Sequence, residues 1–217
     1  MDSDCQFWWN WVVNLLIAIA TFSAVVVALW GDKIRFRFFR PKLMLTLRNT
    51  IGEITGVQYD INNNGVQQHV TESARYYHLN VINQSRWSIS NQTQVFLQRI
   101  EQPGPDGFLQ IIYDNEVPME WRHQSIYPLE RTIGPSALID ICSVGESGWI
   151  RLHPNLVPSN LNVVYRTQTN LVLTFQAKGN ESESPIIRIR IVWDGIWEEG
   201  ETEMTHHFVI KDITGEI

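Results

Sequence analysis

Cysteine is scarce: Cys5 and Cys142 are the only two in 217 residues, and they form no Cys-x-x-Cys pair. Phosphate-binding signatures are missing too, with no P-loop and no Gly-x-Gly-x-x-Gly. Gly145-Glu146-Ser147-Gly148 falls short of a nucleophile elbow, and no helix is predicted after it. Basic charge is short in the larger part of the chain. Residues 49–217 hold 11 Lys and Arg against 20 Asp and Glu, a net of −9. So acidic a domain is not expected to bind a nucleic-acid backbone non-specifically, although a small anion in a local pocket is compatible with it. These absences predict a non-enzymatic protein with no catalytic residues, no metal site and no cofactor.

What the chain does have is one uncharged run, Phe7–Trp30, of 24 residues. As a helix it is roughly 36 Å long, enough to cross a hydrocarbon core of about 30 Å. A cleaved signal peptide fits worse, because the N-terminus is acidic (Asp2, Asp4) and Trp30-Gly31-Asp32-Lys33 follows the run. Trp8, Trp9 and Trp11 at one end and Trp30 at the other match interfacial aromatic belts. Lys33, Arg35, Arg37, Arg40 and Lys42 follow the run, whereas no Lys or Arg precedes it. The positive-inside rule then predicts a single-pass membrane protein, with residues 1–6 outside and the C-terminal domain in the cytoplasm. Cys5 and Cys142 would lie on opposite sides of the bilayer and could not pair. Three Asn-x-Ser/Thr sequons, at Asn83, Asn91 and Asn180, would matter only in an extracellular domain.

Inside the run, Asn10, Asn14, Ile17, Thr21, Ala24 and Ala28 recur at steps of 4, 3, 4, 3 and 4. On a helix they share a stripe of about 80°. Polar and small residues on such a seam favour helix–helix contact in lipid, and the expected partner is a second copy of the span. The bland alternative is that both Asn side chains lie near headgroups and water. Residues 31–42 read as a basic collar on the lipid surface, stopped by Pro41.

From residue 43 onward the pattern is that of strands. Leu43–Leu47, Tyr76–Asn83, Gln94–Ile100, Phe108–Tyr113, Ser136–Val144, Trp149–Leu152, Asn170–Ala177, Pro185–Trp193 and His206–Ile213 alternate or run apolar between turn signals. Residues 50–73 read as a long polar excursion with a weak hairpin, and Val117–Pro128 as irregular structure. The expected fold class is all-β: an antiparallel immunoglobulin-like sandwich over residues 43–217, preceded by one transmembrane helix at 7–30.

The junction Leu29-Trp30-Gly31-Asp32-Lys33-Ile34-Arg35, closed by Arg40-Pro41-Lys42-Leu43, resembles that of bacterial single-pass membrane proteins of unknown function. So do the strand Tyr76–Asn83 and the corner Trp193-Asp194-Gly195-Ile196-Trp197. The resemblance implies an immunoglobulin-like sandwich on the cytoplasmic side and names no activity. In outline the architecture is also similar to membrane effectors of antiphage systems, in which a cytoplasmic β-domain senses a nucleotide and transmembrane helices disrupt the inner membrane. The β-barrel effectors of that kind carry two spans, and this chain shows one.

Five places were weighed as sites. His206-His207 follows Glu198, Glu199, Glu201 and Glu203. On a strand the two rings would point apart, so a solvated hairpin tip is preferred to a metal site. His69, His78, His123 and His153 lack ligand spacing. Cys142, among Leu138, Ile139 and Ile141, reads as a packed thiol. Asp194-Gly195 is turn chemistry, with Trp193 and Trp197 as corner packing. Trp121, Arg122 and His123, with Arg131 nearby, form the stretch best suited to a small anion, stacking plus Arg being what a nucleotide needs. The competing reading is a structural loop packing its Trp on the sandwich. The predicted function is a membrane-anchored effector whose β-domain binds a cytoplasmic protein or small ligand and whose span self-associates. A tethered adaptor without membrane-disrupting activity is the alternative.

Overall fold

The computed structural model describes residues 3–38, 40–63, 66–122 and 129–216. The chain divides into two compact units, Met1–Arg40 and Pro41–Ile217, and each is described by itself.

The first unit is one helix, α1 (Ser3–Phe38). Within it Phe7–Gly31 is long and apolar enough to cross a membrane, and none of it is buried. Phe22, Val27 and Leu29 are exposed along with the Trp residues, so the helix is apolar all round. Such a surface suits lipid and has no partner in water. The helix runs eight residues past Trp30 and ends before Pro41, so most of the basic collar is its last two turns.

The second unit is built from strands that follow the alternation. Among the described residues, one antiparallel sheet holds β1 (Leu43–Leu47), β2 (Glu53–Asn63), β3 (Val66–Asn83), β8 (Ser136–Gly145), β9 (Trp149–Leu152) and β10 (Val164–Tyr165). The other holds β4 (Ser90–Pro103), β5 (Leu109–Tyr113), β6 (Val117–Pro118), β7 (Arg131–Ile133), β11 (Thr169–Lys178), β12 (Ile187–Trp193) and β13 (Phe208–Asp212). Leu79, Val81, Ile139 and Ile141 from the first sheet and Leu97, Leu173, Ile189 and Trp193 from the second join one buried cluster. Each such side chain contributes roughly 1.5–3 kcal/mol by leaving water.

Three local expectations are corrected. Residues 53–63 and 66–76 form a long hairpin in place of a polar excursion, with β2 registered on β3 from Glu53↔Tyr76 to Asn63↔Val66. Asn64 and Gly65 lie outside the described residues. The polar composition had hidden the strands, because backbone pairing needs no apolar face. The acidic run does lie exposed in the connection of the β12–β13 hairpin, but its second half is a helix, α2 (Glu201–His207), rather than a loop. Buried Met204 anchors it, and acids in its first turn with histidines in its last suit the helix dipole. Finally, residues 117–121 add pieces to both sheets: β6 pairs with β4, and Trp121 bridges Ile139.

Candidate functional site

The site lies on the face of the first sheet that points away from the core. Tyr77, Leu79 and Val81 turn inward, which leaves Tyr76, His78 and Asn80 on the other face of β3. β1 and β2 occupy the same edge of β3 in succession, Leu47 opposite Leu79 and Glu53 opposite Tyr76. The connecting turn depends on Gly52, whose φ is 76°. A Cβ there would sit 2.7 Å from Arg75 Cγ. The turn sets Arg48 and Glu53 beside His78, and the Arg48 amide donates to the His78 carbonyl at 3.1 Å. Across β3, a bulge between Tyr77 and His78 puts Asp140 of β8 opposite His78. Beyond β8, the amide of Arg122 donates to the Leu138 carbonyl at 3.0 Å, bringing that arginine to the same face.

These residues form a connected polar set. Arg122 donates to the Glu53 carboxylate, and Arg48 Nη2 lies 3.3 Å from Glu53 Oε1. Partial burial pushes the Glu53 carboxyl up, but the Arg122 hydrogen bond and the Arg122 and Arg48 charges together outweigh it and hold the group below the usual carboxylate range. His78 is 2 % exposed, and its Nδ1–H donates to Asp140 Oδ1 at 2.7 Å. Its Nε2 is buried with no hydrogen-bond partner among the described residues, 3.9 Å from Glu53 Oε2. A cavity of about 340 Å³ opens here between Glu53, Tyr76, His78, Arg122 and Asp140. A second, of about 510 Å³, is lined by Arg48, Asn80, Arg122, Arg131 and Ser136. Arg122 is a wall of both.

The anion-binding stretch expected from the sequence is therefore half assembled. Arg122 and Arg131 share a cavity, joined by Arg48, which sequence reasoning had not singled out. Trp121 is not a stacking platform. It is 2 % exposed in the core, its indole N–H donates to the Leu129 carbonyl at 2.9 Å, and the Arg131 guanidinium lies 5.8 Å over its ring. This is the structural-loop reading. His123 lies outside the described residues. No known protein family, curated protein or solved structure matches the chain.

The other expected residues fall as follows. Asn10, Asn14, Thr21, Ala24 and Ala28 lie on one continuous helix, where the Thr21 hydroxyl donates to the Ile17 carbonyl at 2.8 Å. Lys33, Arg40 and Lys42 are exposed, while the side chains of Arg35 and Arg37 lie outside the described set. Lys42 belongs to the β-unit, its amide donating to Asn83 Oδ1 at 3.1 Å. Cys142 is fully buried, and burial pushes its thiol up. Trp193 is buried and donates to the Ile196 carbonyl, and Trp197 packs on the core, as expected for a corner. Asp194 accepts from the Ile196 amide and from His207 Nδ1.

A second cluster on the same face contains a serine, a histidine and a carboxylate. Ser143 Oγ and His153 Nε2 are 2.7 Å apart, and the His153 ring stacks on Tyr76 with centroids 5.1 Å apart. Glu120 Oε2 is 3.9 Å from His153 Nδ1, beyond hydrogen-bond reach. Ser143 has no exposed surface, and burial pushes the His153 pKa down to about 4. A sealed hydroxyl and an unoriented imidazole suit packing better than nucleophilic attack. Among the described residues no three His, Cys, Asp or Glu side chains could hold a metal ion. What the face offers chemically is positive charge and N–H donors in a fixed arrangement.

Proposed function

We propose that this is a non-enzymatic, single-pass inner-membrane protein whose immunoglobulin-like sandwich lies in the cytoplasm and binds a small, soluble, phosphate-bearing ligand. The observation that carries the reading is the cavity shared by Arg48, Arg122 and Arg131 on a domain that is otherwise acidic. Guanidinium groups bind phosphate in paired geometry, and a net-negative surround repels polyanions while a compact anion can still enter. The apolar helix supports the membrane half of the reading. On it the Asn10–Ala28 stripe is the surface through which copies associate, and ligand binding is the trigger that lets the assembled spans perturb the bilayer, as in antiphage effectors. One observation favours the adaptor reading instead: Phe108, Leu109, Ile111 and Ile112 are exposed on and beside β5, an apolar strip suited to a protein partner.

The test is calorimetric titration of inorganic pyrophosphate into the full-length chain in phosphatidylcholine nanodiscs. The unsubstituted chain is expected to bind, and the Arg122→Gln/Arg131→Gln double variant to lose at least about tenfold in affinity, one lost charge-assisted contact being worth that much. Equal binding by both proteins, or none by either, would remove the anion reading. Adding phosphatidic acid to the discs is expected to leave the titration unchanged. A loss there would reassign the ligand as a lipid headgroup.

A further inference from the structure

Two of the arginines that would receive the anion already hold one, from the neighbouring cavity that Arg122 also walls. Glu53 stands between Arg48 and Arg122, taking the guanidinium groups that a ligand would need. Yet this carboxylate is not locked in. It stands at the first residue of β2, directly after the Gly52 turn, and its side chain is about one-third exposed. Beside it, His78 Nε2 is buried, has no hydrogen-bond partner among the described residues and lies 3.9 Å from Glu53 Oε2. A buried nitrogen without a partner is uncommon and calls for an explanation.

We infer that Glu53 is an internal counter-ion that the phosphate group displaces, and that His78 is the group that receives it. The inference rests on the arginine cavity being an anion site. In the unliganded state Glu53 pairs with both Arg48 and Arg122 and offsets one of their two positive charges. An entering phosphate offers Arg122 more acceptor oxygens than one carboxylate does, and it engages Arg48 and Arg131 as well. Released, the Glu53 carboxylate needs to move only slightly to meet Nε2. Nδ1–H already donates to Asp140, and an N–H on Nε2 would donate to Glu53 in the same way. The proton on Nε2 comes from solvent. Because Glu53 begins β2 and Arg48 follows β1, the exchange changes the contacts of the turn joining them.

The experiment is the same pyrophosphate titration on full-length Glu53→Gln and Arg122→Gln in phosphatidylcholine nanodiscs. Glutamine keeps a carbonyl for Arg122 but removes the competing charge. Glu53→Gln is expected to bind about tenfold tighter than the unsubstituted chain, with the advantage shrinking at high salt, while Arg122→Gln binds at least about tenfold more weakly. If the unsubstituted chain binds, Arg122→Gln does not, and Glu53→Gln binds no tighter, the arginine site stands and the displacement is overturned. If neither the unsubstituted chain nor Glu53→Gln binds, both readings fall. A measurement without substitution guards against a variant that misfolds: the 13C carboxyl resonance of Glu53 is expected to shift when pyrophosphate is added to the unsubstituted chain. A resonance unmoved at saturation would overturn the inference.

Discussion

His153 shows how one buried side chain makes the stability of this domain depend on pH. Burial lowers its pKa from 6.5 to about 4. The unfolded chain therefore binds a proton that the folded chain refuses between those values, and stability falls as pH is lowered through that window. The loss reaches about 3 kcal/mol by pH 4. Glu53 and Asp194 are held below their usual range, so their contribution is present above the unfolded carboxyl value and is lost at still lower pH. His153→Gln keeps a partner for Ser143 but cannot charge. Denaturation followed by near-ultraviolet circular dichroism, at pH 7 and pH 4.5, is expected to show the acid loss reduced by roughly 2–3 kcal/mol in that variant. An unchanged acid loss would mean that His153 is not the titrating group. His153 was visible in the sequence, but its burial was not: that depends on Tyr76, which is 77 positions earlier and stacks on its ring.

At the level of elements, the turn between β1 and β2 decides whether the site exists. Gly52 holds a positive φ, and an added Cβ would meet Arg75 Cγ at 2.7 Å, Tyr77 at 2.9 Å and the Tyr76 carbonyl at 3.0 Å. Arg75 is itself fully buried and donates to the carbonyls of Ile51 and Glu199, so it cannot give way cheaply. Gly52→Ala is expected to cost about 2–4 kcal/mol, combining backbone strain with overpacking. Thermal unfolding reads the first effect, and weaker pyrophosphate binding reads the displacement of Arg48 and Glu53. A fully stable variant with unaltered binding would show that the turn does not position the site. Strands with strong alternation, such as β11 and β12, were legible to within a residue or two. The β2–β3 hairpin was legible only as a weak one and not in its length, because Gln, Asn and Thr report backbone pairing weakly. α2 reads in the sequence as a loop and the start of the last strand, because a seven-residue helix held by one buried Met204 carries little periodicity.

For the whole molecule, the consequence is assembly. Asn10 and Asn14 lie on the stripe through which copies of α1 are proposed to meet, and an amide facing hydrocarbon is costly unless it finds a partner. Native mass spectrometry of the full-length chain in mild detergent is expected to give a defined oligomer of four or more, with Asn10→Leu/Asn14→Leu shifted to the monomer. A monomer for the unsubstituted chain would make the stripe incidental and favour the tethered adaptor.

The amino-acid sequence alone determined that there is one apolar helix long enough for a membrane, that the rest is rich in strands, and which faces of the strongest strands are apolar. Those are local properties, set by residue hydrophobicity and by periods of 2 and 3.6. Only the tertiary structure decided that Arg48, Glu53, His78, Arg122, Arg131 and Asp140 line two cavities that share Arg122 as a wall. They come from β2 and β8, the middle of β3, the start of β7, and segments beside β1 and β8. Strand pairing, a glycine turn and one bulge bring them together. No spacing along the chain records such pairing, because register is a relation between distant segments.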